Sequence, residues 1–317
     1  ELVAVSDVVV ENFRPRVMRN LDLGWDAIRE ANPSIVMCAM PGFGAEGPYA
    51  DFPAFGSTGE AMSGVSSLIG YEPGKSLQSG MSYADPVSAL NLVGVVMTYL
   101  RRSRLTGRGQ YIDLALADSP VLMIGEHLVA SSATAQTPTL QGNKRPDYAP
   151  HGAYRAKGDD KWVAISVTND DEWQALCSVI GDDRLLDARF SKLSGRKDNE
   201  EQLDAVVSEW TGRREPVDVM TQLQAAGVPA GRVATNQDLL ADPHLAARDY
   251  FVDLDEPEIG LKRYDGQSII GNYLDKFRWR AAPILGQDSR RVLVNLLGYS
   301  DGECEVLGSD GTTVFND

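Results

Sequence analysis

The sequence predicts an α/β fold, with a larger unit over residues 1–150 and a smaller α/β unit after it. Three observations carry that reading. Two short apolar runs, Val8–Val10 and Ser34–Ala39, are separated by helical patterns, which predicts a right-handed strand–helix–strand crossover. The run Gln110–Ala117 hands over directly to Asp118-Ser119-Pro120, a strand followed by a helix start. Between Ser131 and Pro150 the chain turns polar and rich in Thr, Gln and Pro, and a second alternation of strands and helices begins beyond it.

In chain order, Val8–Val10 reads as a buried parallel strand. Val17–Leu21 and Trp25–Glu30 carry short helical patterns, and Ser34–Ala39 is the next strand. The stretch Pro41–Pro48 is dense in turn residues, and its small side chains would let backbone approach a ligand. Ser57–Ile69 reads as a helix rich in small residues. Pro86–Leu100 reads as a second, with Asp85 at the N-cap, Pro86 at the first helical position and Arg101, Arg102 and Arg104 at its negative end. After a turn at Thr106–Gly109, the strand Gln110–Ala117 leads into a helix from Asp118 through Val129, which would carry His127. The smaller unit is read as a strand over Trp162–Val167 and a helix over Asp170–Ile180 capped by Asn169 or Asp170. Helices over Glu200–Trp210 and Pro216–Ala226 and a turn into a strand near Gly227–Val233 follow. A helix over Leu239–Tyr250 leads to a strand ending at Leu254, and the last helix, Ser289–Leu297, stops at Gly298.

With 30 Lys and Arg against 45 Asp and Glu the chain carries a formal charge of −15, spread along its length with no basic cluster. Nucleic acid is therefore not expected as a partner. No apolar run is long enough to span a membrane and the first residues lack a signal-peptide pattern, so neither membrane insertion nor secretion is expected. Cys38, Cys177 and Cys304 lie far apart without a CxxC pair, which points away from disulfides and structural zinc and toward a reducing cytoplasm. The three histidines, His127, His151 and His244, form no metal-binding spacing. A serine-hydrolase elbow and a phosphate-cradling glycine loop are likewise not expected.

What remains is Asp118, at the point where strand gives way to helix. Free N–H groups there favour an anion, and an ionised carboxylate in a dry pocket can act as a covalent nucleophile. An ordinary N-cap explains the same residue, so chemistry alone leaves both readings open.

The run Asp7-Val8-Val9-Val10-Glu11-Asn12-Phe13-Arg14-Pro15 is followed by Asn32-Pro33, Gly42-Phe43-Gly44 with Gly47-Pro48-Tyr49, Met62-Ser63-Gly64, and Thr106 through Ser119. In this order the motifs resemble the class III CoA-transferases (CaiB/BaiF), which include formyl-CoA transferase and share a fold with the α-methylacyl-CoA racemases. The likeness continues through His151-Gly152-Ala153-Tyr154, Asp171-Glu172-Trp173 and Gly227–Gly231. It implies a Rossmann-like large domain to which residues 256–317 return, a small domain over 151–255, and an interlocked homodimer or an assembly with a related subunit. It implies an acyl-CoA and a small carboxylic acid as substrates, with coenzyme A as carrier and no permanently bound cofactor. Asp118 would be the nucleophile, passing through a mixed anhydride and an aspartyl-CoA thioester. Asn12, Phe13, Arg14 and Arg19 would contact CoA, although Asn20 stands where the family often has Arg. His151 and Gly152 would belong to a substrate-side loop.

Two departures from the family pattern matter. The racemase branch uses a His-Asp pair where this chain has Phe55 and Gly56, which favours transfer over two-base racemisation. Family members also carry a strand–helix–strand segment before the position of Glu1, so the sequence is expected to be a truncated one or to receive that segment from elsewhere. That second departure keeps a non-catalytic, CoA-transferase-like subunit as an alternative beside the racemase.

Overall fold

The computed structural model describes residues 1–273 and 277–316. The chain divides into two compact units, one of Glu1–Ala153, Ser166–Trp173 and Leu185–Leu203, the other of Tyr154–Ile165, Gln174–Arg184 and Asp204 onward.

The first unit is built on three parallel strands, β1 (Val8–Glu11), β2 (Val36–Ala39) and β3 (Gln110–Asp113), in that spatial order. Helices α1 (Pro15–Asn20) and α2 (Trp25–Ala31) cross from β1 to β2, and α3 (Gly56–Met62) and α4 (Ala84–Thr106) separate β2 from β3. Alternation along the strands divides the core into two layers. Val8, Val36, Cys38 and Ile112 face α4 through Leu92, Val95, Val96 and Tyr99. Val9, Met37 and Tyr111 face Met18, Trp25 and Ile28. Every residue of β2 is buried, as a central parallel strand requires. β1 is an edge strand, and its Val10 is exposed where the sequence suggested burial.

Several boundaries depart from the sequence reading for local reasons. The helix expected over Ser57–Ile69 stops at Met62, because Gly64 takes φ 88° and a short 3-10 turn, Val65–Leu68, follows. α4 starts two residues before Pro86, which is accommodated because the first N–H groups of a helix have no partner within it. Its far end is closed by Gly107 at φ 66°. β3 ends at Asp113, not Ala117. Asp118 heads a 3-10 segment, Ser119–Ile124, and only then does α5 (Gly125–Thr134) begin, so Asp118 and His127 do not share one α-helix.

β4 (His151–Arg155) and β5 (Trp162–Ser166) come next, so His151 stands at the start of a strand rather than in a turn. Helix α6 (Asp170–Ile180) is capped by Asn169, whose Oδ1 accepts from the Glu172 N–H at 2.9 Å. α7 (Leu193–Asp198), missed in the sequence, precedes α8 (Glu200–Thr211) and α9 (Pro216–Ala225). β6 (Ala230–Arg232) pairs antiparallel with β5 and packs against α9. The helix expected over Leu239–Tyr250 is two, α10 (Asn236–Leu240) and α11 (Pro243–Ala247). Pro243 cannot sit inside a continuous helix, and Asp242 instead caps α11 by accepting from His244 and Leu245 N–H groups. β7 (Phe251–Glu256) and the unforeseen β8 (Gly260–Asp265) form a hairpin. The expected terminal helix is a π-helical segment, Arg291–Leu296, before Gly298, and a further helix, α12 (Asp301–Ser309), follows. Among the described residues, no helix is long and apolar enough to cross a membrane.

Candidate active site

In β1–β3 the last residues of the strands stand in register, Glu11 beside Ala39 and Ala39 beside Asp113. The parallel sheet therefore delivers three loops to one edge: Asn12–Arg14 after β1, Pro41–Gly47 after β2 and Leu114–Asp118 after β3. The carboxyl edge of such a sheet is where open α/β folds place their ligands.

Each loop is tied down locally. The Phe13 N–H donates to Glu11 Oε2 at 2.8 Å, and the Ala45 N–H donates to Asp113 Oδ2 at 2.8 Å. Burial pushes the Glu11 carboxyl above its ordinary value, the Phe13 hydrogen bond works against that, and the negative charge of Asp113 adds to the rise. Gly44, at φ 82°, brings the loop over Asp113. Gly42 packs so closely on Ala54 that a Cβ there would collide with the Ala54 Cβ. The loop after β3 is bonded to the loop after β2, with Leu116 N–H to Pro41 O at 3.0 Å and Ala117 N–H to Gly42 O at 2.9 Å.

Asp118 is the next residue. Its backbone is helical (φ −80°, ψ −29°) and its side chain caps nothing, so the capping explanation for an aspartate here does not hold. The carboxylate is exposed and has no hydrogen-bond or ion-pair partner among the described residues. Beside it, Ser119 and Pro120 are buried, and Gly59 of α3 packs so closely on Leu116 and Ala84 that a Cβ there would fall 2.6 Å from Leu116 Cδ2 and 2.8 Å from the Ala84 Cβ.

A cavity of about 590 Å³ opens beneath the same edge, on the α1/α2 side. Of the four residues tied to CoA in the sequence, Arg19 lines it, and Asn12, Phe13 and Arg14 do not. Phe13 is half exposed, and Arg14 is the N-cap of α1. The wall is markedly acidic, with Glu11, Asp22, Asp26 and Glu46 against the single cation Arg19, and Trp25 and Tyr111 supply aromatic faces 5.9 Å apart. Burial, followed by the charges of Asp113 and Glu11, pushes the Tyr111 hydroxyl above its ordinary value.

His151 and Gly152 sit in different surroundings. His151 Nδ1 lies 2.9 Å from Ser166 Oγ and its ring 5.6 Å from Tyr148. Phe55 is 81% exposed, and Gly56 is buried with the Asp85 carboxylate where a Cβ would fall, so these two positions hold no titratable pair.

Two letter patterns correct the sequence reading. Gly42-Phe43-Gly44-Ala45-Glu46-Gly47 does spell GxGxxG after a strand, yet it opens no helix, and the Ala45 N–H that could face a phosphate is held by the Asp113 carboxylate. Gly298-Tyr299-Ser300-Asp301-Gly302 spells GxSxG, but Ser300 is the N-cap of α12 and its hydroxyl donates to Glu303 at 2.6 Å. The sequence reading singles out the loop itself and misses only its GxGxxG spelling; the loop's structural role is to buttress Ala117 beside Asp118. Among the described residues, no group of His, Cys, Asp and Glu is placed to hold a metal ion.

A family model described as CoA-transferase family III matches residues 1–289. The chain is 29% identical to the succinyl-CoA–D-citramalate CoA-transferase of Chloroflexus aurantiacus, over 96% of this chain and 76% of that protein. It is 30% identical to the succinyl-CoA–L-malate CoA-transferase beta subunit of the same organism, over 98% and 77%. The crystal structure of a CaiB/BaiF family protein from Brucella suis superposes with a TM-score of 0.83 at 28% identity, covering 93% of this chain and 76% of that one.

Proposed function

We propose, for a chain that belongs to CoA-transferase family III, that it moves CoA from an acyl-CoA to a small carboxylic acid with Asp118 as the covalent nucleophile. The observation that carries this reading is the Asp118 carboxylate, exposed and unengaged, on a backbone bonded to the glycine loop at the carboxyl edge of the sheet.

The exchange needs no proton donor. An Asp118 carboxylate oxygen attacks the acyl carbonyl, the C–S bond breaks, and CoA leaves as the thiolate, giving a mixed anhydride. The thiolate then attacks the aspartyl carbonyl and releases the donor acid as a carboxylate, leaving an aspartyl-CoA thioester. The acceptor carboxylate attacks that thioester, and the thiolate finally takes the acceptor acyl group and restores Asp118. Each step exchanges one carboxylate or thiolate for another, so covalent catalysis divides a difficult exchange into easier ones. A site without a histidine beside Asp118 is compatible with that chemistry. Asn12, Phe13, Arg14 and Arg19 are proposed to meet CoA, and His151 and Gly152 the acid substrate. Residues 256–317 are proposed to return to the large domain.

A homodimer is the proposed working state, supported by the apolar faces left exposed on α4 (Leu90, Val93, Met97) and α5 (Val129). Light scattering on the purified chain tests it, and a monomer at micromolar concentration would overturn it.

The experiment for the reaction is intact mass spectrometry of the protein with short and branched acyl-CoAs, beside Asp118→Ala. A CoA-sized or acyl-sized adduct absent from the variant supports the nucleophile. Exchange of the α-hydrogen without adduct or acyl transfer would favour a racemase. CoA binding without adduct or exchange would favour a non-catalytic subunit.

A further inference from the structure

The first unit has a second cavity, about 550 Å³, between α5 and residues 136–146. Its chemistry is the reverse of the cavity below the sheet edge. Lys144 and Arg145 line it with a single carboxylate, Glu126, and much of the remaining wall is hydroxyl and amide, from Ser131, Thr137 and Gln141 among others. In a chain carrying 15 more acids than bases, that is a local inversion of charge.

Lys144 and the backbone of Arg145 are held in place. Lys197 Nζ donates to the Arg145 carbonyl at 2.9 Å and to Glu200 Oε1 at 2.8 Å, and Lys144 Nζ lies 3.4 Å from Glu200 Oε2. Glu200 is only 8% exposed and is shared by the two lysines. The Arg145 guanidinium has no ion pair among the described residues, while its backbone carbonyl is anchored by Lys197. The positive field extends to His151, whose imidazole is held below its ordinary value by burial first and then by Arg145 and Lys197, with Glu200 opposing.

We propose that this cavity binds a small oxyanion, a carboxylate or phosphate group, on the Arg145 guanidinium with Lys144 as the second cation. A planar guanidinium offers two parallel donors to either group, and the neighbouring hydroxyls and amides can take the remaining oxygens. Both chemistries have a source in CoA transfer, the carboxylate in a free acid and the phosphate in CoA itself. Binding at equilibrium needs no turnover, so the proposal stands or falls apart from the role given to Asp118.

The test is calorimetric titration at low ionic strength with sodium succinate and, separately, inorganic phosphate, on the wild-type protein, Arg145→Ala, Arg145→Glu and Asp118→Ala. Arg145 is exposed, so its variants are expected to fold, and circular dichroism checks that they do. The expected result is saturable binding of at least one probe, weakened at least tenfold in Arg145→Ala, lost in Arg145→Glu and retained in Asp118→Ala. Succinate binding that CoA does not displace assigns the cavity to a free acid. Phosphate binding that CoA displaces assigns it to a phosphate of CoA. No saturable binding of either probe, or equal affinity in wild type and Arg145→Glu, overturns the proposal.

Discussion

Glu11 and Asp113 stand in register on either side of Ala39, and each carboxylate holds the backbone of a loop at the sheet edge, Phe13 by Glu11 and Ala45 by Asp113. Ionised Glu11 is costly first because it is buried and then because the like charge of Asp113 lies one strand away, with the Phe13 hydrogen bond offsetting part of that cost.

Removing that charge while keeping the acceptor should therefore stabilise the protein. A carboxyl raised in the folded state binds its proton more tightly there than in the unfolded chain. Its ionisation thus costs stability as pH rises from the ordinary value, 4.5, through the folded value. Glu11→Gln keeps an oxygen for the Phe13 N–H and is expected to raise Tm by about 1–3 °C at pH 7. The gain should vanish at a pH low enough to protonate Glu11. A lower Tm for Glu11→Gln at pH 7, measured by thermal unfolding, would contradict a net cost of the buried charge.

Asp113, the more exposed of the two, holds the glycine loop that abuts Ala117. Asp113→Ala should cost about 1 kcal/mol, a charge-assisted hydrogen bond discounted for its exposed site. It should also lower kcat for CoA transfer at least tenfold by freeing the loop beside Asp118. Gly44→Ala, forced to φ 82°, should cost a further 1 kcal/mol or so. Unchanged kcat in Asp113→Ala would detach the loop from catalysis.

Asp118 supports no neighbour, so catalysis and stability should separate there. Asp118→Asn is expected to lower transfer activity at least about 1,000-fold. Its unfolding free energy should stay within about 0.5 kcal/mol of wild type, as for a surface change. Denaturant melts and steady-state rates on the same preparation test both halves, and an active variant would remove Asp118 from the reaction.

The parallel sheet was legible because its strands announce themselves: Val36–Ala39 is apolar throughout, and Gln110–Asp113 precedes a change of periodicity. The edge position of β1 was not, since Val8–Val10 has the composition of a central strand and exposure depends on which neighbours arrive. Helix breaks were under-read where one residue decides them, at Gly64 through its positive φ and at Pro243 through its missing N–H. Asp118 was found by its place after a strand, while its freedom from capping depended on the 3-10 geometry of Ser119–Ile124, which no local pattern distinguishes from an α-helix. The acidic wall around Arg19 was invisible because Glu11, Asp22 and Glu46 come from three separate segments.

Glu60 on α3 is the strictest test of how the scaffold around Asp118 is held. Its side chain is 1% exposed and accepts from Ser79 N–H at 2.7 Å, Ser79 Oγ at 2.7 Å and Tyr83 N–H at 3.0 Å, which fixes the entry to α4. Burial works to raise its carboxyl, but these donors outweigh it and the carboxyl ends below its ordinary value of 4.5. A depressed carboxyl contributes stability that is present above 4.5 and lost as pH falls through the folded value. Glu60→Ala would strand the donors in a buried site and should cost about 2–4 kcal/mol at pH 7. Glu60→Gln keeps one acceptor oxygen without the charge, so it should cost less and its stability should fall less steeply on acidification than that of wild type. Parallel acid-denaturation curves for wild type and Glu60→Gln would sink this account, because they would mean that the ionised form contributes nothing to holding α3 against the start of α4.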